Sequence, residues 1–183
     1  MGDSDEERFV IPFMADGGAV TCRFTTGESA VLADLAQQLI DLLSERAPDA
    51  AGSVLYAQLG IGGESSGPLD PALARLLPDA YRGDVEAASE HRQLTEQSLV
   101  ERKMANARAV IASLDTAILE RTEVRLEPTE VQSWLRTLTD LRLALAARLQ
   151  IEDDGDNGIG DDEALMVYDW LGYLQGSLIE VIE

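Results

Sequence analysis

A chain of 183 residues with 45% apolar content is long enough to bury one ordinary core and too short for two, so residues 1–183 are expected to form a single domain. No apolar run approaches the ~20 residues of a membrane span. The opening MGDSDEERF is acidic where a secretion signal is basic and then apolar, so a cytoplasmic protein without membrane contact is expected. The formal charge is −20, and it is unevenly spread: residues 1–74 hold 12 acids and 3 bases, residues 75–148 hold 12 and 11, and residues 149–183 hold 10 and none. A phosphate backbone requires clustered cations, so a near-neutral middle between two acidic ends disfavours direct nucleic-acid binding.

At the N-terminal end, Arg8–Met14 and Ala19–Thr25 are rich in aromatic and β-branched residues. Asp16-Gly17-Gly18 between them supplies turn chemistry, so residues 8–25 are predicted to form a β-hairpin. Pro12 places its strand at a sheet edge. Val31, Leu32, Leu35, Leu39, Leu42 and Leu43 recur at helical spacing, predicting a helix over 28–46 that Pro48 stops. Residues 47–67, ending GIGGESSG, have the composition of a flexible loop; no Lys-Ser or Lys-Thr follows the glycines, so no phosphate loop is expected.

Residues 70–151 are predicted to form the helical core. Asp70-Pro71 has the pattern of an N-cap followed by proline at the first helical position, and Asp84 is a second candidate cap. A long helix over about 95–120 carries a seam of Val100, Met104, Ala107, Ile111, Leu114 and Ile118. Glu123–Glu127 has the character of a short extended piece able to join the hairpin as a third strand. The helix opened by Pro128 has the seam Val131, Trp134, Leu138, Leu141, Leu145 and Leu149. After an acidic loop at 152–163, a last helix over 163–182 carries Leu171, Leu174, Leu178 and Val181. Tyr168, Trp170 and Tyr173 are spread around its first half, so Trp170 and Tyr173 are candidate interface residues for a homodimer. The expected fold is α+β and mainly α: about five helices with a small N-terminal antiparallel sheet.

Residues 152–163, EDDGDNGIGDDE, can be set against a twelve-residue EF-hand loop. Glu152, Asp154, Asp156 and Glu163 then fall at positions 1, 3, 5 and 12, where calcium takes carboxylate oxygens. Glutamate at the first position and Asn157 in place of the turn glycine depart from that pattern. An acidic solvated linker is the simpler reading, and calcium is the alternative to having no cofactor.

Cys22 is the only cysteine, which excludes an internal disulfide. Arg23 beside it would lower the thiol pKa if the sulfur faced solvent, making Cys22 a candidate redox residue; a small buried hydrophobe is the plainer role. His91, the only histidine, needs a positioned nucleophile or further ligands to become catalytic or metal-binding, and no motif in the chain supplies them, so a helix-surface or boundary residue is expected. Asp169, Glu180 and the other carboxylates show no acid-base spacing. Arg102, Lys103 and Arg108 form the best basic cluster, but Glu96 and Glu101 lie among them, so an ion-paired exposed face is expected. No catalytic constellation emerges, and the chain is not expected to be an enzyme.

Three stretches carry a resemblance: RLLPDAYRGDVEAASEHRQLTE at 75–96, WLRTLTDLRLALAARLQI at 134–151 and VYDWLGYLQGSLIEVI at 167–182. They resemble an actinobacterial family of unknown function, domain of unknown function 2017, the AosR-like oxidative-stress regulators. The resemblance covers most of the chain outside the two low-complexity loops. It implies a stress-response protein that acts in transcription regulation through a protein partner, such as a sigma factor or other transcription component. A sensor that switches by an internal disulfide needs two cysteines, however, and this chain has one.

Overall fold

The computed structural model describes residues 11–46, 70–78, 85–152 and 158–183, with the side chains of 11–12 and 85–95 outside the description. Three strands, β1 (Ile11–Asp16), β2 (Ala19–Arg23) and β3 (Val124–Leu126), form one antiparallel sheet in the order β1-β2-β3. Gly17 and Gly18 both have positive φ, 59° and 97°, which is the backbone a two-residue hairpin turn requires. Pro12 lies on an edge strand, and the register shifts between Ile11 and Met14, where the ring removes a ladder donor. Val20 faces Leu126 and Cys22 faces Val124, so these four residues and Phe13 turn one apolar face toward the helices. The opposite face carries charge: Arg23 bonds Glu123 at 2.5 Å, and Arg125 bonds Asp16.

Five described helices accompany the sheet: α1 (Thr26–Ser44), α2 (Pro71–Leu76), α3 (Val85–Glu120), α4 (Pro128–Arg148) and α5 (Asp162–Ile182). Helix α1 begins two residues before the first predicted position because Thr25 and Glu28 form a reciprocal cap. The Glu28 N–H donates to Thr25 Oγ1 at 3.2 Å, and the Thr25 N–H donates to Glu28 Oε2 at 2.7 Å. Asp70 caps α2 as expected, accepting from the N–H groups of Ala72 and Leu73 at 2.8 and 3.2 Å. The third strand and the proline start of α4 also form where the sequence places them.

Helix α3 starts at Val85, next to the candidate cap Asp84, which itself lies outside the described residues, and ten residues ahead of the predicted seam, because residues 85–94 do not continue that seam. Its buried face also differs. Val110 and Ala117 are buried, whereas Ile111 is half-buried and Ile118 exposed. At spacings of three and four the heptad pattern admits either set, and packing against α1 on one side and α4 on the other selects the one centred on Val110. The helix ends with Arg121 in left-handed conformation, φ 54°, and the Thr122 N–H reaching back to the Ala117 carbonyl at 3.0 Å.

Helix α4 is the hub, touching α1, α2, α3, α5 and the sheet. Its Trp134 is fully buried, stacked on Phe24 (centroids 5.8 Å, planes 7° apart) and edge-on to Phe13 at 5.7 Å; its indole N–H donates to Ser113 Oγ at 3.0 Å. This ring therefore ties sheet, α3 and α4 together, and its N–H has the partner that a buried indole requires. Helix α5 packs on α4 and along β1, where the Phe13 N–H donates to Ser177 Oγ at 2.9 Å. Among the described residues no helix is long and apolar enough to cross a membrane.

Candidate functional site

Cys22 sits on the apolar face of β2 with 2% of its surface exposed. Burial, with the negative charges of Glu28 and Glu123 adding to it, pushes its thiol pKa up to about 12. The neighbouring arginine does not activate it: strand alternation sends Arg23 to the other face, where it pairs with Glu123. In this fold the sulfur is a protonated core group, and access to it requires the sheet to open.

In the acidic loop, Glu152 and Glu163 are exposed at the ends of a linker whose Asp154 and Asp156 lie outside the described residues. Among the described residues no three potential ligands converge on a metal position. The described residues at the two ends of this loop form an apolar clasp. Ala146, Leu149 and Ile151 cluster with Ala164, Leu165 and Tyr168, and the Ile159 N–H donates to the Leu149 carbonyl at 2.6 Å. Gly158, with φ 62°, leaves no room for a side chain: a Cβ there would lie 2.8 Å from Ile151 and 3.0 Å from the Leu149 carbonyl oxygen.

Helix α5 divides its aromatic residues between surfaces. Trp170 is half-buried against the core, whereas Tyr173 (51%) and Met166 (63%) are exposed. Tyr168 lies under the Arg142 guanidinium at 4.9 Å, and Arg142 also donates to Gln175 Oε1 at 2.9 Å. The guanidinium also rests on Gly172, whose Cβ position lies at van der Waals distance, 3.4 Å, from Arg142 Cζ. Arg142 is thereby used to fasten α4 to α5. The side chain of His91 lies outside the described residues.

The basic cluster is organised between helices and not along one. Lys103 reaches across to Asp140 of α4 at 2.5 Å, with 16% and 6% of the two side chains exposed; burial raises the Asp140 pKa even against the lysine's pull. Glu96, expected to serve its own helix, pairs with Arg46 at the end of α1 at 2.9 Å. Sequence spacing offered no hint of these partners, 37 and 50 residues away. Arg102 lines an open groove of about 570 Å³ together with Arg75 of α2 and Arg136 of α4. The cluster thus forms part of a three-helix concavity.

The family described as Domain of unknown function (DUF2017) matches residues 10–182. The chain belongs to this family. Within it, the chain is similar to proteins named Oxidative stress regulator AosR from Mycobacterium tuberculosis and Mycobacterium bovis. Each is 32% identical over 182 residues, covering 91% of this chain and 84% of the relative. No solved structure matches the chain. The DUF2017 match spans every described element apart from the final residue, Glu183, so the hub helix, the sheet and the groove all fall inside the family domain.

Proposed function

We propose that this chain is a non-catalytic regulator of the oxidative-stress response that works by contact with a protein of the transcription machinery, such as a sigma factor, and not by holding DNA. The observation that carries the reading is its similarity, over 91% of its length, to proteins named as oxidative-stress regulators. The charge distribution supports the same mode of action. With 10 acids and no base in residues 149–183 and a net charge of −20, the chain repels a phosphate duplex and is drawn to basic protein surfaces.

Affinity capture of the full chain from an actinobacterial lysate, before and after peroxide, tests this together with transcript profiling of a deletion strain. Recovery of a sigma factor or polymerase subunit, with an altered peroxide response on deletion, is the expected result. Recovery of the chain alone, with unchanged transcripts, refutes the proposal. Because Cys22 is buried, Cys22→Ser is expected to recover the same partner in the same amount. A partner lost with the thiol would instead assign sensing to an intermolecular reaction of Cys22.

A further inference from the structure

Four cations line the groove between α2, α3 and α4: Arg75, Arg102, Lys103 and Arg136. Lys103 is neutralised by Asp140. The other three are not matched by acids among the described residues. Arg75 donates to a neutral acceptor, the Ile151 carbonyl, at 3.0 Å, and Arg102 donates to the Ser98 carbonyl of its own helix at 3.3 Å. Arg136 forms no ion pair among the described residues. Among the described residues this concavity therefore gathers three cations without an acid partner, on a chain whose net charge is −20.

The floor between these arginines is apolar. Leu99, Leu135 and Leu143 are half-buried there, packed against the core from below and open to the groove above. Guanidinium groups along the rim and leucines along the floor ask for an occupant with carboxylates on its flanks and apolar side chains between them. An amphipathic helix presents that arrangement, because residues three and four apart share a face while charges occupy the sides. A nucleic-acid strand would satisfy the arginines but would leave the leucine floor without an apolar partner.

Resting on the protein-contact reading above, we propose that this groove is a docking site for an acidic amphipathic helix of a protein partner. Carboxylates of that helix pair with Arg102 and Arg136 at the rim, in the bidentate geometry guanidinium favours, and its apolar face covers Leu99, Leu135 and Leu143.

The test is fluorescence anisotropy with the full chain and a labelled synthetic helix that has leucine at every third or fourth position and glutamate elsewhere. The expected result is saturable binding that weakens as NaCl rises, and that falls by about tenfold or more in the double variant Arg102→Glu, Arg136→Glu. Both arginines are exposed, so the variant is expected to keep the parent's melting temperature, which circular dichroism checks. Arg108→Glu, an exposed arginine of α3 outside the groove, reports the effect of added negative charge alone and is expected to change affinity little.

Absence of binding by the glutamate helix, equal binding by the double variant, or an equal loss with Arg108→Glu overturns the proposal. So does tighter, Arg102- and Arg136-dependent binding of a labelled DNA duplex, which would make the groove a phosphate site. If the groove fails while a transcription partner is still captured, regulation by protein contact stands. If no partner is captured while the peptide binds, the groove stands and the regulatory reading fails.

Discussion

Replacing Asp140 by asparagine strands the Lys103 ammonium between α3 and α4. The two side chains meet at 2.5 Å, with Asp140 6% and Lys103 16% exposed. Breaking a buried pair from one side costs about 3–5 kcal/mol. Water reaching the partly exposed ammonium reduces that here to about 2–4 kcal/mol. For a chain of this size each kcal/mol moves the melting temperature by about 2–4 °C, so Asp140→Asn is expected to melt about 4–16 °C lower. The double variant Lys103→Met, Asp140→Leu removes both desolvated charges and is expected to lie within about 1 kcal/mol of the parent. Urea unfolding of Lys103→Met, Asp140→Leu and the double variant closes the cycle, with an expected coupling of about 2 kcal/mol or more.

A single-variant cost below about 1 kcal/mol, or a double-variant cost equal to the sum of the singles, would refute the idea that the pair is desolvated and mutually dependent.

Three further outcomes follow from the geometry. Cys22 is expected to react with a disulfide reagent only as the chain unfolds in urea, with a native rate that shows no plateau near the ordinary thiol pKa of 9.0; rapid labelling of the folded chain contradicts its placement. Arg121→Gly and Gln150→Gly replace side chains held at φ 54° and 55° and are each expected to raise stability by about 0.5–1 kcal/mol in thermal melts, whereas a loss would mean that these side chains have a role beyond their backbone. Asp70→Ala removes the cap of α2 and the contact to Arg148 at 2.8 Å, costing about 1 kcal/mol. Burial alone would raise the Asp70 pKa, but the N–H groups of Ala72 and Leu73 and the Arg148 guanidinium outweigh it and lower the pKa. The parent therefore gains this stability above pH about 3.8 and loses it as pH falls further, and the alanine variant should lack that step.

Elements whose signals are local were legible in the residues. Gly17 and Gly18 set the hairpin, Asp70-Pro71 started α2, Pro128 started α4, and the apolar spacing of Val131, Trp134, Leu138 and Leu141 marked the face that α4 buries. Each depends on backbone conformations or periodicities that neighbouring residues impose by themselves. The cap at Thr25 was equally local, a threonine three residues before a glutamate, but it lies ahead of the first apolar residue from which the helix was counted.

The candidate surface was of the other kind. That Arg102 faces Arg136 over a leucine floor, that Lys103 is consumed by Asp140, and that Cys22 turns away from Arg23's partner all depend on which helix packs where. Ion pairs and concavities between elements join residues tens of positions apart, and charge along a chain does not specify which acids will be near which bases in space. The sequence by itself determined an acidic, mainly helical domain with a small sheet and the kinship that its matching stretches carry. Packing around Trp134 and along α4 decided the rest, because a side chain's pKa, its exposure and its partners are properties of the environment that long-range burial creates.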